Sequence, residues 1–300
     1  MSGLSARTLE LIFFARAILA AFNPMTLRQL HYAIFSKSEI DYKNNAADYK
    51  RLSRATTLAR RAYREAELTG EEPPGWSIPP SWMVDETREA ESVQTWPTAV
   101  DFLHTVRRAY RRDPWQDQAT YCEIWAEKAT ILGAIRPIKD EWKVTLRVCH
   151  GFGSTGMEQQ IGKDFEAEER DIVIFYLGDH DPSGHVIQSD IHSRVQAAAG
   201  RCFRMERLAI HPADILGFNL PPQAIKATDS RSRGFKDKFG ANAATVELDA
   251  LPVEELRNRV HSAILELVDH EKWKAQQQMQ IAERNRIGQM IDQYQAGDAQ

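Results

Sequence analysis

The sequence predicts an α/β protein in which a helical N-terminal region precedes a parallel sheet. Three observations carry that expectation. Apolar residues through the first 68 positions fall into helical segments, and a proline-rich strip follows them. From residue 121 onward, short apolar runs at 121–125, 144–148 and 172–177 alternate with helical patterns, the order of a parallel sheet. The run Ile172-Val-Ile-Phe-Tyr-Leu is apolar throughout, as a strand covered on both faces must be.

The bulk numbers set limits. Three hundred residues suffice for two domains with separate cores. With 43% hydrophobic and 27% charged residues the composition is that of a soluble globular protein. The net charge of -4 excludes a polycation, so any affinity for nucleic acid must reside in local patches. Cys122, Cys149 and Cys202 are widely spaced and form no CxxC pair, so neither a disulfide framework nor a zinc site is expected, and a reducing cytoplasm fits. The apolar stretch 9–22 is interrupted by Arg16 and falls short of the roughly 20 residues that span a bilayer. It lacks a small-residue cleavage site, so an amphipathic helix is expected there, with neither secretion nor membrane insertion.

Taken in order, the first helix covers residues 8–22 and stops before Asn23-Pro24, because a residue preceding proline disfavours helical geometry. Thr26 is placed to cap a second helix, 27–35. A third runs over 46–68, with Tyr49, Leu52, Leu58, Ala62 and Ala66 as its apolar side and Thr69-Gly70 as its end. Residues 71–85 hold four prolines and two tryptophans and suggest a short hairpin or wing, with Trp76 and Trp82 packing. Helix, short helix, basic helix and wing is the order of a winged helix-turn-helix, which defines a domain over 1–90. Residues 91–118 form a connector with one helix. The remainder, 119–300, makes the α/β domain: strands at 121–125, 144–148 and 172–177, a helix over 127–142, another after Gly184, a resumption at 207–210, and a C-terminal extension with helices at 253–269 and 273–294.

The sharpest motif is Gly178-Asp179-His180-Asp181-Pro182-Ser183-Gly184 directly after the apolar strand. Functional groups in open α/β sheets collect at the carboxyl ends of strands. Two carboxylates one residue apart can face one hard cation, and without it they repel each other. Asp, Pro, Ser and Gly equally suit a plain turn, and a glutamate at a helix start is ordinary dipole compensation. The repetition of the order strand-then-acid, with Glu127 following 121–125, favours a site where Glu127, Asp179 and Asp181 converge on Mg²⁺.

Glu127-Lys128 after a strand, followed by Gly-Asp179-His-Asp181-Pro-Ser-Gly, resembles the Toprim domain of topoisomerases, primases and related nucleases. The pattern looks most like the topoisomerase VI A subunit and its meiotic double-strand-break relatives, in a stand-alone phage or bacterial form. The resemblance implies Mg²⁺ on Glu127, Asp179 and Asp181. It extends to the loop His150-Gly-Phe-Gly-Ser154, and through Lys226-x-x-Asp229 and Val246-Glu-Leu-Asp249-Ala-Leu, motifs similar to those of phage and bacterial Toprim proteins, to which no role is assigned. In this family a nucleophilic tyrosine lies in a winged-helix domain, in a Thr-x-Arg-x-x-Tyr-Tyr context. Thr26-Leu-Arg28-Gln-Leu-His31-Tyr32 is similar to that context, with Arg28 at the arginine, His31 in place of the first tyrosine and Tyr32 at the nucleophile.

A phenol with a pKa near 10 needs help to attack phosphate. Arg28, one helical turn before Tyr32, can stabilise the charge that develops. A tyrosine on an amphipathic helix is also commonly a packing residue. Lys50, Arg51, Arg54, Arg60, Arg61 and Arg64 load the third helix with positive charge suited to double-stranded DNA, and Arg107, Arg108, Arg111 and Arg112 form a second group. The expected function is Mg²⁺-dependent DNA cleavage through a 5′-phosphotyrosyl link at Tyr32. The alternatives are a Toprim nuclease that uses water, and a non-catalytic DNA-binding phage or plasmid protein. The resemblance also implies a homodimer with tyrosine and metal from different protomers. No Gly-rich ATP-binding loop is found, so ATP-driven strand passage would need a separate ATPase subunit.

Overall fold

The computed structural model describes residues 4–37, 39–84, 93–149, 155–225 and 231–298. The first helix, α1 (Ala6–Phe22), starts at Ser5, whose hydroxyl accepts the Thr8 N–H at 3.2 Å and ends at an extended Asn23 ahead of Pro24. α2 (Leu27–Lys37) is opened by a reciprocal pair: Gln29 N–H donates to Thr26 Oγ1 at 3.3 Å, and Thr26 N–H to Gln29 Oε1 at 2.8 Å. α3 (Ala46–Thr69) is capped by Asn45 and terminated by Gly70 at φ 72°, a conformation that costs glycine little.

Two expectations for this region need correction. The buried side of α3 is Leu52, Ala55, Thr56, Ala59 and Ala66, while Leu58 is exposed. The seam toward α1 follows small residues four apart, which permit close approach and turn Leu58 outward. Residues 71–84 form no hairpin. Their prolines remove the N–H donors that a ladder requires, and the segment lies as a strap with a short 3₁₀ turn at Pro80–Trp82. Met83 bridges Met25, Ile78 N–H reaches the Ala59 carbonyl at 3.2 Å, and Trp76 and Trp82 pack on the helical core as expected. Asp85 lies outside the described residues.

α4 (Ala99–Ala109) leads into a four-stranded, all-parallel sheet: β1 (Thr120–Ala126), β2 (Thr145–Val148), β3 (Asp171–Leu177) and β4 (Arg204–Ala209), in the order β2-β1-β3-β4. The helix after β1 begins later than the sequence suggests. Residues 129–131 make a 3₁₀ turn and α5 runs over Leu132–Trp142, which leaves Glu127 in the loop beyond the strand, not on a helix. α6 (Thr155–Glu166) and α7 (Pro182–Ala199) cover one face through Ile161, Phe165, Ile191 and Val195.

The short α8 (Pro212–Gly217) and α9 (Ser232–Phe239) follow β4. α10 (Val253–Leu265) joins α5 on the opposite face, where Ile131, Ile135, Leu256, Val260 and Ile264 meet β1 and β3. The result is three layers, α/β/α. α11 (His270–Asp298) packs along α4, with Tyr110 and Arg112 both bonded to Glu283. Ala134 and Val253 belong to the core of the N-terminal helices, so α1–α3 sit directly on α5 and α10. Among the described residues, no helix is long and apolar enough to cross a membrane.

Candidate metal and phosphate site

β1 and β3 are neighbours in a register that pairs Ala126 with Leu177. The next residues of each strand therefore leave the sheet side by side, as the repeated strand-then-acid order implied. Glu127 N–H continues the pairing to the Leu177 carbonyl at 2.9 Å, and Asp179 N–H donates to Glu127 Oε2 at 3.0 Å. The fit depends on two glycines. A Cβ at Gly178 would lie 2.8 Å from Glu127 Oε2 and 2.5 Å from the Tyr176 ring, and one at Gly184 would lie 2.9 Å from the same oxygen and 2.6 Å from the Asp179 carbonyl. Asp181 caps α7, accepting the Gly184 N–H at 2.6 Å, so the positive end of that helix faces the acids.

Crowding three acids here has an electrostatic cost. Burial first, and the nearby Asp179 second, push the Glu127 carboxyl up to about 7. Burial also raises Asp179, against the opposing pull of Lys128. Lys128 Nζ sits 2.6 Å from Asp179 Oδ2 and 3.7 Å from Asp249 Oδ2. From below, Arg207 donates to the carbonyls of Gly178 at 2.9 Å and Asp179 at 3.1 Å, with its guanidinium 5.2 Å from the Tyr176 ring centre. Behind the aspartates, His180 and His185 lie nitrogen to nitrogen at 3.0 Å, walled by Phe235 and Phe239. Burial, then Arg207, holds them down to about 4 and about 3.

A strap assembles the rest. Val246 pairs with His180 in both directions, at 2.9 and 3.0 Å. Leu248 N–H then donates to Asp179 Oδ1 at 2.7 Å. Asp249, 2% exposed, turns inward with neither carboxylate oxygen hydrogen-bonded, and the Lys128 ammonium lies nearby. Glu247 turns the other way. It accepts the Tyr32 hydroxyl at 3.2 Å and the Arg28 Nε–H at 2.9 Å on the same Oε2, which also takes Arg28 Nη2. Arg28 and Tyr32 lie one turn apart on the same face of α2, as their spacing predicted, and share Glu247 as a partner, which the sequence did not indicate. Tyr32 is only 5% exposed, and burial followed by Glu247 raises its phenol. His31 is buried beside it, bonded to the Tyr42 hydroxyl at 2.6 Å and to Asn44 at 3.0 Å, an anchor for that loop.

Within one chain, Tyr32 and Arg28 therefore stand one residue along the strap from the backbone that holds Asp179. Between the 179–183 loop and the strap lies a cavity of about 180 Å³ lined by Asp179, Asp181, Ser183, Gln223, Thr245 and Glu247. Sequence reasoning missed Glu247, Asp249 and Arg207. The motif Val246-Glu-Leu-Asp249 was visible as a motif, but nothing local to it names its partners. The loop 150–154 and the Lys226-x-x-Asp229 motif lie outside the described residues.

The basic residues divide. Lys50, Arg54, Arg61 and Arg64 are exposed and, at intervals of four, seven and three, share one face of α3; Arg64 pairs with Glu67 at 3.0 Å. Arg51 and Arg60 are half-buried. Arg51 is bonded to the Asp41 carbonyl at 2.9 Å, and Arg60 to its own helix at 3.4 Å. In the second group Arg107 packs against Gly288 and Arg112 pairs with Glu283 at 2.9 Å, so those cations join α4 to α11.

Glu127, Asp179 and Asp181 offer the hard oxygen donors that Mg²⁺ takes. Their mutual repulsion and the orphaned oxygens of Asp249 fit a cation at this end of the sheet. The three are not a preformed cage. Among the described residues no three His, Cys, Asp or Glu side chains are grouped as metal ligands, and Lys128 and Leu248 N–H already engage Asp179. Comparison with known protein families matches no family model, and no curated protein matches the chain.

Proposed function

We propose that this chain is a Mg²⁺-dependent DNA-cleaving protein in which Tyr32 is the attacking group and a 5′-phosphotyrosyl link the product. The observation that carries the reading is the Glu247-Leu248-Asp249 strap, which ties Tyr32 and Arg28 to the acidic end of the sheet. Glu127, Asp179 and Asp181 would hold Mg²⁺, which when bound supplies neutralising charge to the phosphate and the leaving 3′ oxygen. The exposed face of Lys50, Arg54, Arg61 and Arg64 would carry the duplex through its phosphates. The Tyr32 oxygen forms a bond to phosphorus, its proton passes to water, and the P–O3′ bond breaks as the departing 3′ oxygen takes a proton from water to give a 3′-hydroxyl. Arg28 stabilises the added negative charge. ATP-driven strand passage would fall to a separate ATPase subunit. The resemblance implies tyrosine and metal from different protomers, whereas the strap joins Tyr32 to the acids of its own chain, so on this reading each protomer of a homodimer would bring a complete site to one DNA strand.

One observation favours a second reading. The Tyr32 hydroxyl is buried and its pKa is raised, which suits a structural tyrosine in a nuclease that activates water at the same acids. Supercoiled plasmid incubated with protein and Mg²⁺, then denatured in SDS with and without protease, separates the two. Breaks that carry covalently bound protein and vanish in Tyr32→Phe support the tyrosine. Free ends that persist in Tyr32→Phe transfer the reaction to water. Binding without cleavage, unaltered by Asp179→Ala, leaves a DNA-binding module alone.

A further inference from the structure

Glu247 lies in the Val246-Glu-Leu-Asp249 motif, to which the sequence assigned no role, and its surroundings have a definite chemistry. One carboxylate oxygen receives two N–H groups of Arg28 and the hydroxyl of Tyr32. The Arg28 side chain is 45% exposed and that of Glu247 23%, while Tyr32 lies behind them at 5%. The ion pair therefore stands between solvent and the phenol. A planar guanidinium and a hydroxyl pointed at one anionic oxygen are the donors that a phosphodiester recruits.

We infer that Arg28 and Tyr32 form a phosphodiester-binding subsite, and that the Glu247 carboxylate occupies it as an internal placeholder. The inference rests on the nucleic-acid reading above and explains how a buried tyrosine could meet substrate. Arg28 grips Glu247 through a single oxygen, so a phosphate presenting two oxygens to the guanidinium fork makes the better partner. The pair is solvent-exposed, and such pairs are weak. The strap does not have to unfold for the exchange. Val246 stays paired with His180 through backbone bonds and the Leu248 N–H stays on the Asp179 carboxylate, so rotation of the Glu247 side chain opens the subsite.

The test is duplex-oligonucleotide binding by fluorescence anisotropy at low salt without Mg²⁺, comparing wild type, Glu247→Gln, Arg28→Met and the double variant. Removing the competing charge should tighten binding by up to about fivefold, the scale of one exposed ion pair. That gain should disappear when Arg28 is also replaced. Glu247→Asp, whose carboxylate is one methylene short of Arg28, should show part of the gain and serves if the glutamine variant folds poorly. Unchanged or weaker binding in both Glu247 variants overturns the inference. A gain that persists in the Arg28→Met background also overturns it, since it would report surface charge alone. The SDS adduct assay separates this from the reading beneath it. An Arg28-dependent gain with no Tyr32-linked DNA ends the tyrosine mechanism and keeps the subsite, and Tyr32-linked DNA without the gain does the reverse.

Discussion

The two halves of the site are held in different ways. The acidic half is set by backbone: neighbouring parallel strands release Glu127 and Asp179 together, glycines at 178 and 184 make room, and the N-terminus of α7 fixes Asp181. The Tyr32 half is set by side chains. Arg28 and Tyr32 reach the acids through Glu247, across 219 and 215 residues of sequence. One half is charged in its interior and held by backbone; the other is held by side chains, with Arg28 at the surface and Tyr32 buried behind it. A site held by backbone stores repulsion until a cation relieves it, whereas one held by side chains can exchange partners when substrate arrives.

The largest effect should follow from removing the cation built into the acidic half. Lys128→Met leaves Asp179 and Asp249 facing each other without compensation. A loss of about 3–5 kcal/mol is expected by denaturant titration, the scale of a broken buried pair. Adding Asp249→Asn should recover much of it, and two additive losses would show that the acids do not share Lys128. Next, Gly184→Ala drives a methyl into the Asp179 carbonyl and Glu127. It should cost about 1–3 kcal/mol through overpacking, and an unaffected melting temperature would mean the loop is loose.

A smaller effect concerns pH. His180 and His185 have folded pKa values of about 4 and about 3 against an ordinary 6.5. The unfolded chain thus binds their protons first as pH falls below 6.5, and stability is lost on acidification. Glu127, raised to about 7, works in the opposite direction between about 4.5 and 7, since the folded state there keeps a proton the unfolded state has released. Two histidines outweigh one glutamate, so the melting temperature should fall from pH 7 to pH 5. In His185→Phe the fall should be clearly shallower; an unchanged slope would place the acid sensitivity elsewhere. The smallest change is expected in the Tyr32 half. Arg28→Met breaks an exposed pair and should cost no more than about 1 kcal/mol, and a loss comparable to that of Lys128→Met would erase the contrast between the halves.

Much of the local structure was readable along the chain. Asn23-Pro24 ends α1, the Thr26–Gln29 pair opens α2, Gly70 ends α3, and the apolar run 172–177 is the buried strand it resembles. Other expectations failed where a neighbour decided the matter. Leu58 faces outward because α1 prefers the alanine seam, the proline strip 71–84 packs without a hairpin, and Arg51, Arg60, Arg107 and Arg112 are engaged within the chain.

By itself, the sequence determined most of the helices and strands, though not α6, α8 or α9, and that acids follow two of the strands. Those features arise from hydrogen bonds and side-chain spacing within a few residues, which a linear pattern records. Only the tertiary structure decided that Glu247 would meet Arg28 and Tyr32, that Asp249 would lie by Lys128, and that Arg207 would grip the Gly178 and Asp179 carbonyls. Each of these contacts joins segments far apart in the chain. Their partners are chosen by how the layers pack and by where a buried charge can find compensation, and neither is written in local periodicity.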